Sequence, residues 1–221
     1  MSSTAEIYED MDEWYKSSDL PDENPGEVIC TNLREIYPAM NQLVLFLGLN
    51  PGKAHGYTIE ENISDHKNGL TEDRCWYGWG THNIPKGIIA IMKSLYPSKD
   101  IKEIKKSILY SNTSFFRTRH QDKIKKKDFD ISYPLVEKLI NKNKKPFFVF
   151  GTMAYKNISK RMRMSVVSSH SVGWGKWKVQ LYKNNKTNEK MIGLPHLSYD
   201  WATRKEVPDE VWTEIRKFIE T

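Results

Sequence analysis

The sequence predicts an α/β layer fold whose strands run parallel and are covered on both faces. Short apolar runs that stop abruptly at turn residues are the first sign, and the clearest is Leu43-Val44-Leu45-Phe46-Leu47-Gly48-Leu49-Asn50-Pro51-Gly52. The second is that such runs alternate with segments whose apolar residues recur at helical spacing. A strand that is apolar at successive positions has no polar side to turn to water, so helices must bury both its faces.

The elements follow in order. Residues 5–17 and 27–37 read as a helical pair interrupted by Pro21 and Pro25, and 43–49 is the first core strand. A long loop rich in Gly, Asn and His, 52–85, leads to a helix at 86–96, where Ile88, Ile89, Met92 and Leu95 share a face. After a short helix, 107–116 reads as the second strand, ending in polar residues. Leu135, Leu139 and Ile140 make 131–142 an amphipathic helix; 146–151, with Phe147-Phe148-Val149-Phe150 between breakers, is the third strand. A short helix at 153–162 follows, then an alternating extra strand at 177–182 with 183–188 as its hairpin turn. Residues 191–194 open the last core strand, and 208–219 form a closing helix with Pro208 near its first turn.

Composition narrows the function classes. A chain of 221 residues with 38% hydrophobic content, seven Trp and eleven Tyr is long enough for one sizeable core. No apolar run approaches the roughly 18 residues of a membrane span, and the acidic start lacks the features of a signal peptide. The expectation is a protein without a membrane, cytoplasmic in a prokaryotic or viral host cell, or nuclear if eukaryotic. Cys30 and Cys75 are the two cysteines, so four thiolates for zinc or an iron–sulfur cluster cannot come from this sequence, and both thiols are expected to be reduced.

Charge is unevenly spread. The net is +6, yet residues 1–27 carry nine acids against Lys16; the remainder carries 33 Lys and Arg against 19 acids. A body that basic favours a polyanion, because each phosphate contact releases counterions and long-range attraction speeds encounter. The acidic segment suits a solubilising tail or a strip lying over a basic face, and Trp14 and Tyr15 suggest that part of it docks.

Asn50 follows the first strand in a rigid Gly/Pro turn, and ligands of parallel sheets sit outside the carboxyl ends of the strands. A phosphate loop does not fit there: three residues separate Gly48 from Gly52 where four are needed, and Ala54 stands where Ser or Thr should follow Lys53. Two more polar loops follow core strands, Ser111-Asn112-Thr113-Ser114-Phe115-Phe116 and Leu194-Pro195-His196-Leu197-Ser198, and parallel strands would bring all three to one edge.

This set of loops resembles the uracil-DNA glycosylase superfamily. The first motif is closest to the Gly-hydrophobic-Asn-Pro-Gly of its mismatch-specific thymine/uracil and single-strand-selective uracil branches. The resemblance runs from about residue 40 to the end. It implies a three-layer α/β/α sandwich around a mostly parallel four-stranded sheet, with residues 1–38 as an acidic helical segment and 39–221 as the glycosylase-like domain. Asn50 takes the place of the residue that holds the attacking water, and Asn112 that of the base-reading amide. His196 would donate to a base carbonyl oxygen, in a loop where Leu197 replaces the family's usual Pro. Gly48 and Leu49 would line the base through their backbone, and Trp76, Tyr77 or Trp79 would supply a stacking ring. Ser198 would meet a flanking phosphate, with Tyr199 or Trp201, like Leu197, entering the space that the extruded base leaves. Lys53, Arg117, Arg119 and Arg204 are candidate backbone contacts; Lys125, Lys126, Lys127, Arg161 and Arg163 are further cationic positions. His55, His66, His82, Asp65 and Asp73 match no metal-ligand spacing.

The expected function is excision of uracil, mispaired thymine or a modified pyrimidine from DNA, leaving an abasic site. It needs no cofactor and no metal, and the protein would act as a monomer. A modified viral base would turn the same chemistry from repair to defence. The alternatives are a nucleic-acid-binding protein with weak or no catalysis on the same fold, and a hydrolase of free nucleosides.

Overall fold

The computed structural model describes residues 5–17, 43–50, 83–116, 124–173, 175–199 and 206–221. The expected helix at 27–37 and most of the loop at 52–85 lie outside them. The described elements are α1 (Ala5–Ser17), β1 (Val44–Gly48), α2 (Asn83–Leu95), α3 (Ile101–Lys106), β2 (Ile108–Asn112), α4 (Lys126–Asn143), β3 (Phe147–Phe150), α5 (Thr152–Arg161), β4 (Ser165–Val172), β5 (Trp177–Lys183), β6 (Lys190–Leu194) and α6 (Asp209–Glu220).

One sheet has the order β2-β1-β3-β6-β5-β4. β2, β1, β3 and β6 are parallel, with Gly48 opposite Asn112 and Phe150 opposite Leu194, while β5 and β4 extend the sheet antiparallel beyond β6. Four parallel strands therefore form the core as expected, and a hairpin widens the sheet to six.

Alternation of side chains along each strand explains the three layers. Leu45, Leu47, Leu109, Phe147, Val149 and Met191 join Ile7, Met11 and Trp14 of α1, Leu135, Val136 and Leu139 of α4, and Ala154 and Ile158 of α5. Val44, Phe46, Ile108, Tyr110, Phe148, Phe150, Ile192 and Leu194 meet Ile88, Ile91 and Met92 of α2, Ile104 of α3, and Val211, Trp212 and Ile215 of α6. The fold is a three-layer α/β/α sandwich. No helix among the described residues is long and apolar enough to cross a membrane.

Helix α4 starts five residues earlier than its apolar periodicity indicates. Its first turn is Lys126-Lys127-Asp128, where the Asp128 carboxylate accepts from the Lys125 backbone N–H at 2.8 Å and so satisfies an orphan donor. Pro134 sits on the exposed side within the helix, where packing against the sheet keeps the helix continuous.

The acidic N-terminal helix is docked. Ile7, Met11 and Trp14 are buried, and the Trp14 indole N–H donates to the Ile131 carbonyl at 2.8 Å. Lys138 pairs with Asp10 and Glu13, and Lys142 with Glu6 and Asp10, at 2.7–3.1 Å. Partly exposed pairs of this kind are worth about 0.2–1 kcal/mol each, so they set orientation while the apolar face supplies most of the affinity. Trp14→Ala should cost about 3–5 kcal/mol of stability in denaturant unfolding. A loss below about 1 kcal/mol would show that α1 contributes little to the core.

Candidate functional site

The carboxyl ends of the four parallel strands form one edge, and period-two alternation selects the side chains that meet there. Gly48, Asn112, Phe150 and Leu194 stand at the same level, in phase with Phe46, Tyr110, Phe148 and Ile192, and hence on the α2/α6 side of the sheet. Asn50 and His196 each follow two residues beyond that level, on the loops after β1 and β6.

Asn112 is fully buried, and the Tyr110 hydroxyl donates to its Oδ1 at 3.3 Å, which orients the amide. The space for it exists because position 48 has no side chain. An added Cβ on Gly48 would lie 2.6 Å from Asn112 Oδ1, 2.7 Å from the Tyr110 hydroxyl and 3.0 Å from Phe150 Cζ. Gly48→Ala should therefore destabilise the protein by about 1–3 kcal/mol and displace Asn112. Unfolding midpoints and a crystal structure of the variant check this; an unmoved Asn112 side chain would contradict it.

The loops after β1 and β2 are tied together. The Thr113 N–H donates to the Gly48 carbonyl at 2.8 Å, and the Ser114 N–H and Thr113 hydroxyl to the Leu49 carbonyl at 2.9 and 3.0 Å. Phe115 continues the loop, its N–H bonded to the buried Ser132 hydroxyl at 3.0 Å and its ring edge-on to Trp14 at 4.9 Å. The Leu49 side chain belongs to the core on the α1/α4 side, so its nearness to the Asn112 side is through backbone alone.

Rings bridge from Asn112 to His196. Tyr110 and Phe150 are 5.6 Å apart, and Phe150 meets the His196 ring edge-on at 5.7 Å. Gly151, at φ +95°, gives the chain a turn that other residues resist, and a Cβ there would approach His196 Cδ2 at 3.4 Å. His196 Nδ1 accepts from the Ser198 backbone N–H at 3.2 Å and lies 2.7 Å from the Ser198 hydroxyl. An N–H donor needs a lone pair, so the neutral ring carries its proton on Nε2. Burial pushes the His196 pKa below its ordinary 6.5, which keeps that neutral form at physiological pH.

The loop itself is anchored to α2. Asn83 Nδ2 donates to the Ser198 carbonyl at 3.1 Å, and buried Leu197 packs on Gly87, where a Cβ would meet it at 3.3 Å. Leu197 is thus a core anchor, where a wedge was expected. Tyr199 is 54% exposed and stacks on Trp177 of β5 at 5.6 Å and 17°.

Several expected residues, Lys53, Trp76, Tyr77, Trp79, Arg117, Arg119, Trp201 and Arg204, lie outside the described residues. The same holds for His55, Asp65, His66, Asp73 and His82. Arg161 is engaged on α4 with Asp130 and lies 4.8 Å over the Tyr133 ring, so it is committed to packing rather than open for phosphate. Lys125, Lys126, Lys127 and Arg163 are exposed. Among the described residues, no group of three or more His, Cys, Asp or Glu could hold a metal. A cavity of about 360 Å³ lined by Lys144, Lys145, Phe147 and Lys190 lies at the opposite, amino-terminal edge of β3 and β6, away from Asn50 and His196.

Sequence reading passed over Tyr110 and Phe150. Tyr110 stands two residues before Asn112 in an otherwise apolar strand, so period two alone puts its hydroxyl beside the amide. No protein-family description and no curated protein matches the sequence.

Proposed function

We propose that this protein is a DNA N-glycosylase that draws a pyrimidine out of the helix and hydrolyses its bond to the sugar. What supports the reading most is the pairing, across Phe150, of a buried amide at Asn112 with a His196 ring whose Nδ1 is occupied and whose N–H is on Nε2. An amide offers a donor and an acceptor to the edge of a base, and a neutral imidazole N–H stabilises charge on a carbonyl oxygen without first needing a proton.

The reaction follows from those roles. The C1′–N bond breaks with its electron pair passing to the base, while the oxygen of water forms the new bond to C1′. Asn50 orients that water beneath the sugar, and the proton released from it ends in solvent or on the departing base. His196 donates to the base oxygen where negative charge accumulates. An amide is no base, so the site depends on stabilising both departing charges rather than on deprotonating water. Uracil is the default substrate by resemblance, with mispaired thymine and modified pyrimidines as variants of the same chemistry.

The test is a panel of single- and double-stranded oligonucleotides, each with one uracil, one thymine mispair or one modified pyrimidine, treated to cleave abasic sites. Strand scission at the marked position is the expected result. Tight binding with no scission on any base would overturn catalysis in favour of a binding protein, and turnover of free nucleosides alone would overturn DNA as the substrate.

A further inference from the structure

The hairpin β4–β5 is not needed to complete the parallel core, yet one of its rings stands beside the candidate site. Trp177 opens β5 after a turn in which Gly173 and Gly175 have φ of +56° and +78°. Gly173 leaves room for the indole, since a Cβ there would come within 2.3 Å of Trp177 Cε3. Lys176 lies 5.2 Å over the Trp177 ring, and the Tyr199 ring stacks on it at 5.6 Å. Tyr199 in turn meets His196 edge-on at 6.2 Å and has more than half of its surface open.

An exposed tyrosine outside a helix or strand ordinarily samples several rotamers. This one is stacked on an indole that the hairpin turn holds, which favours one plane before any ligand arrives. A flat ring that is more than half exposed and stacked on an indole that itself carries a cation suits a nucleobase and its phosphate, because stacking accepts any base and the ammonium meets the backbone. Lys176 and Lys178 are both exposed on the hairpin, two cations against the one Glu206 carboxylate beside Gly173, so that strand end keeps the sign a polyanion requires. A base inside a duplex already has both faces covered by its neighbours. An unpaired base has a face to offer.

We propose that Tyr199, backed by Trp177, is a stacking platform for the unpaired nucleobase next to the extruded one, so that single-stranded DNA is the preferred ligand. This rests on the DNA-directed reading above. Tyr199 binds the base, and Trp177 acts as a positioning residue that holds the ring.

Equilibrium binding to fluorescently labelled oligonucleotides that carry no excisable base tests the platform without any demand on catalysis. Three ligands are compared: a single strand of adenine and cytosine, its duplex, and the same single strand with abasic spacers. Tyr199→Ala should weaken the first on the order of tenfold and leave the duplex and the abasic strand nearly unchanged. Tyr199→Phe, which keeps the ring, should bind like the parent. Because Tyr199 is exposed, the alanine variant should remain folded, and its circular dichroism and unfolding midpoint check that. Equal losses on all three ligands, or no loss on the base-bearing single strand, would overturn the platform. Excision in the panel with unaltered Tyr199→Ala binding removes the platform alone. Absent excision with a selective loss removes the enzymatic reading and keeps the platform.

Discussion

Asn50→Ala should reduce excision by a factor on the order of 10²–10⁴ while leaving DNA affinity close to that of the parent. Asn50 stands two residues past Gly48, partly buried, on a loop held from the β2 side through the carbonyls of Gly48 and Leu49. Those anchors are backbone groups, so trimming the residue 50 side chain leaves them in place, and the variant should fold. Under the proposed mechanism the effect then falls on the water that attacks C1′. Asn50→Asp offers a second reading of the same position: a carboxylate would stabilise the cationic sugar as well as orient water, so activity should survive or rise. Single-turnover excision with protein in excess measures both. Full activity in Asn50→Ala would remove Asn50 from the mechanism.

His196→Ala should cost on the order of 10²–10³ in the same assay, the size typical of losing one preorganised donor to a developing oxyanion. The pH dependence carries more information than the size. In the folded protein the His196 pKa lies below 6.5, through burial, whereas in the unfolded chain it sits near 6.5. Protonation would place a proton on Nδ1 against the Ser198 backbone N–H and cost that bond, leaving the Ser198 hydroxyl, 2.7 Å away, as the acceptor for the new N–H. Parent activity should therefore persist as pH falls past 6.5 and decline only near the lower, folded value. Stability follows the same sign. Below 6.5 the unfolded chain binds the proton more readily, so the contribution of neutral His196 is fully present above 6.5 and is lost as pH drops towards the folded pKa. Unfolding midpoints of the parent and His196→Ala across pH 4.5–8 read this out. An identical acid dependence in both would contradict it.

Much of the architecture was legible because it is written in local chemistry. Apolar runs at 43–49 and 146–151, bounded by Gly and Pro, located β1 and β3, and helical spacing located α2, α5 and α6 within a few residues. The end of the second strand was less clear. Residues 113–116 are as buried as a strand, but the Ser114 N–H turns to the Leu49 carbonyl and the Phe115 N–H to the Ser132 hydroxyl instead of to a regular ladder partner, so the ladder stops at Asn112. Strand β4 gave no signal at all. Ser165-Val166-Val167-Ser168-Ser169-His170-Ser171-Val172 is a polar edge strand, mostly exposed, and it is extended because β5 pairs with it across the turn at 173–176.

By itself, the sequence determined the layer class, the parallel core and the polar loops that leave three of its strands, because burial on two faces and turn chemistry act between near neighbours in the chain. The tertiary structure alone decided which side chains meet. Gly48 is a glycine because Asn112, Tyr110 and Phe150 converge on it from two other strands. Leu197 is an anchor because α2 lies beneath it, and Tyr199 has a stacking partner because pairing with β4 and β6 carries Trp177, on a strand whose alternation was legible, to that edge of the sheet. Those relations depend on register and packing between segments far apart in sequence, and such distances are set only when the core closes.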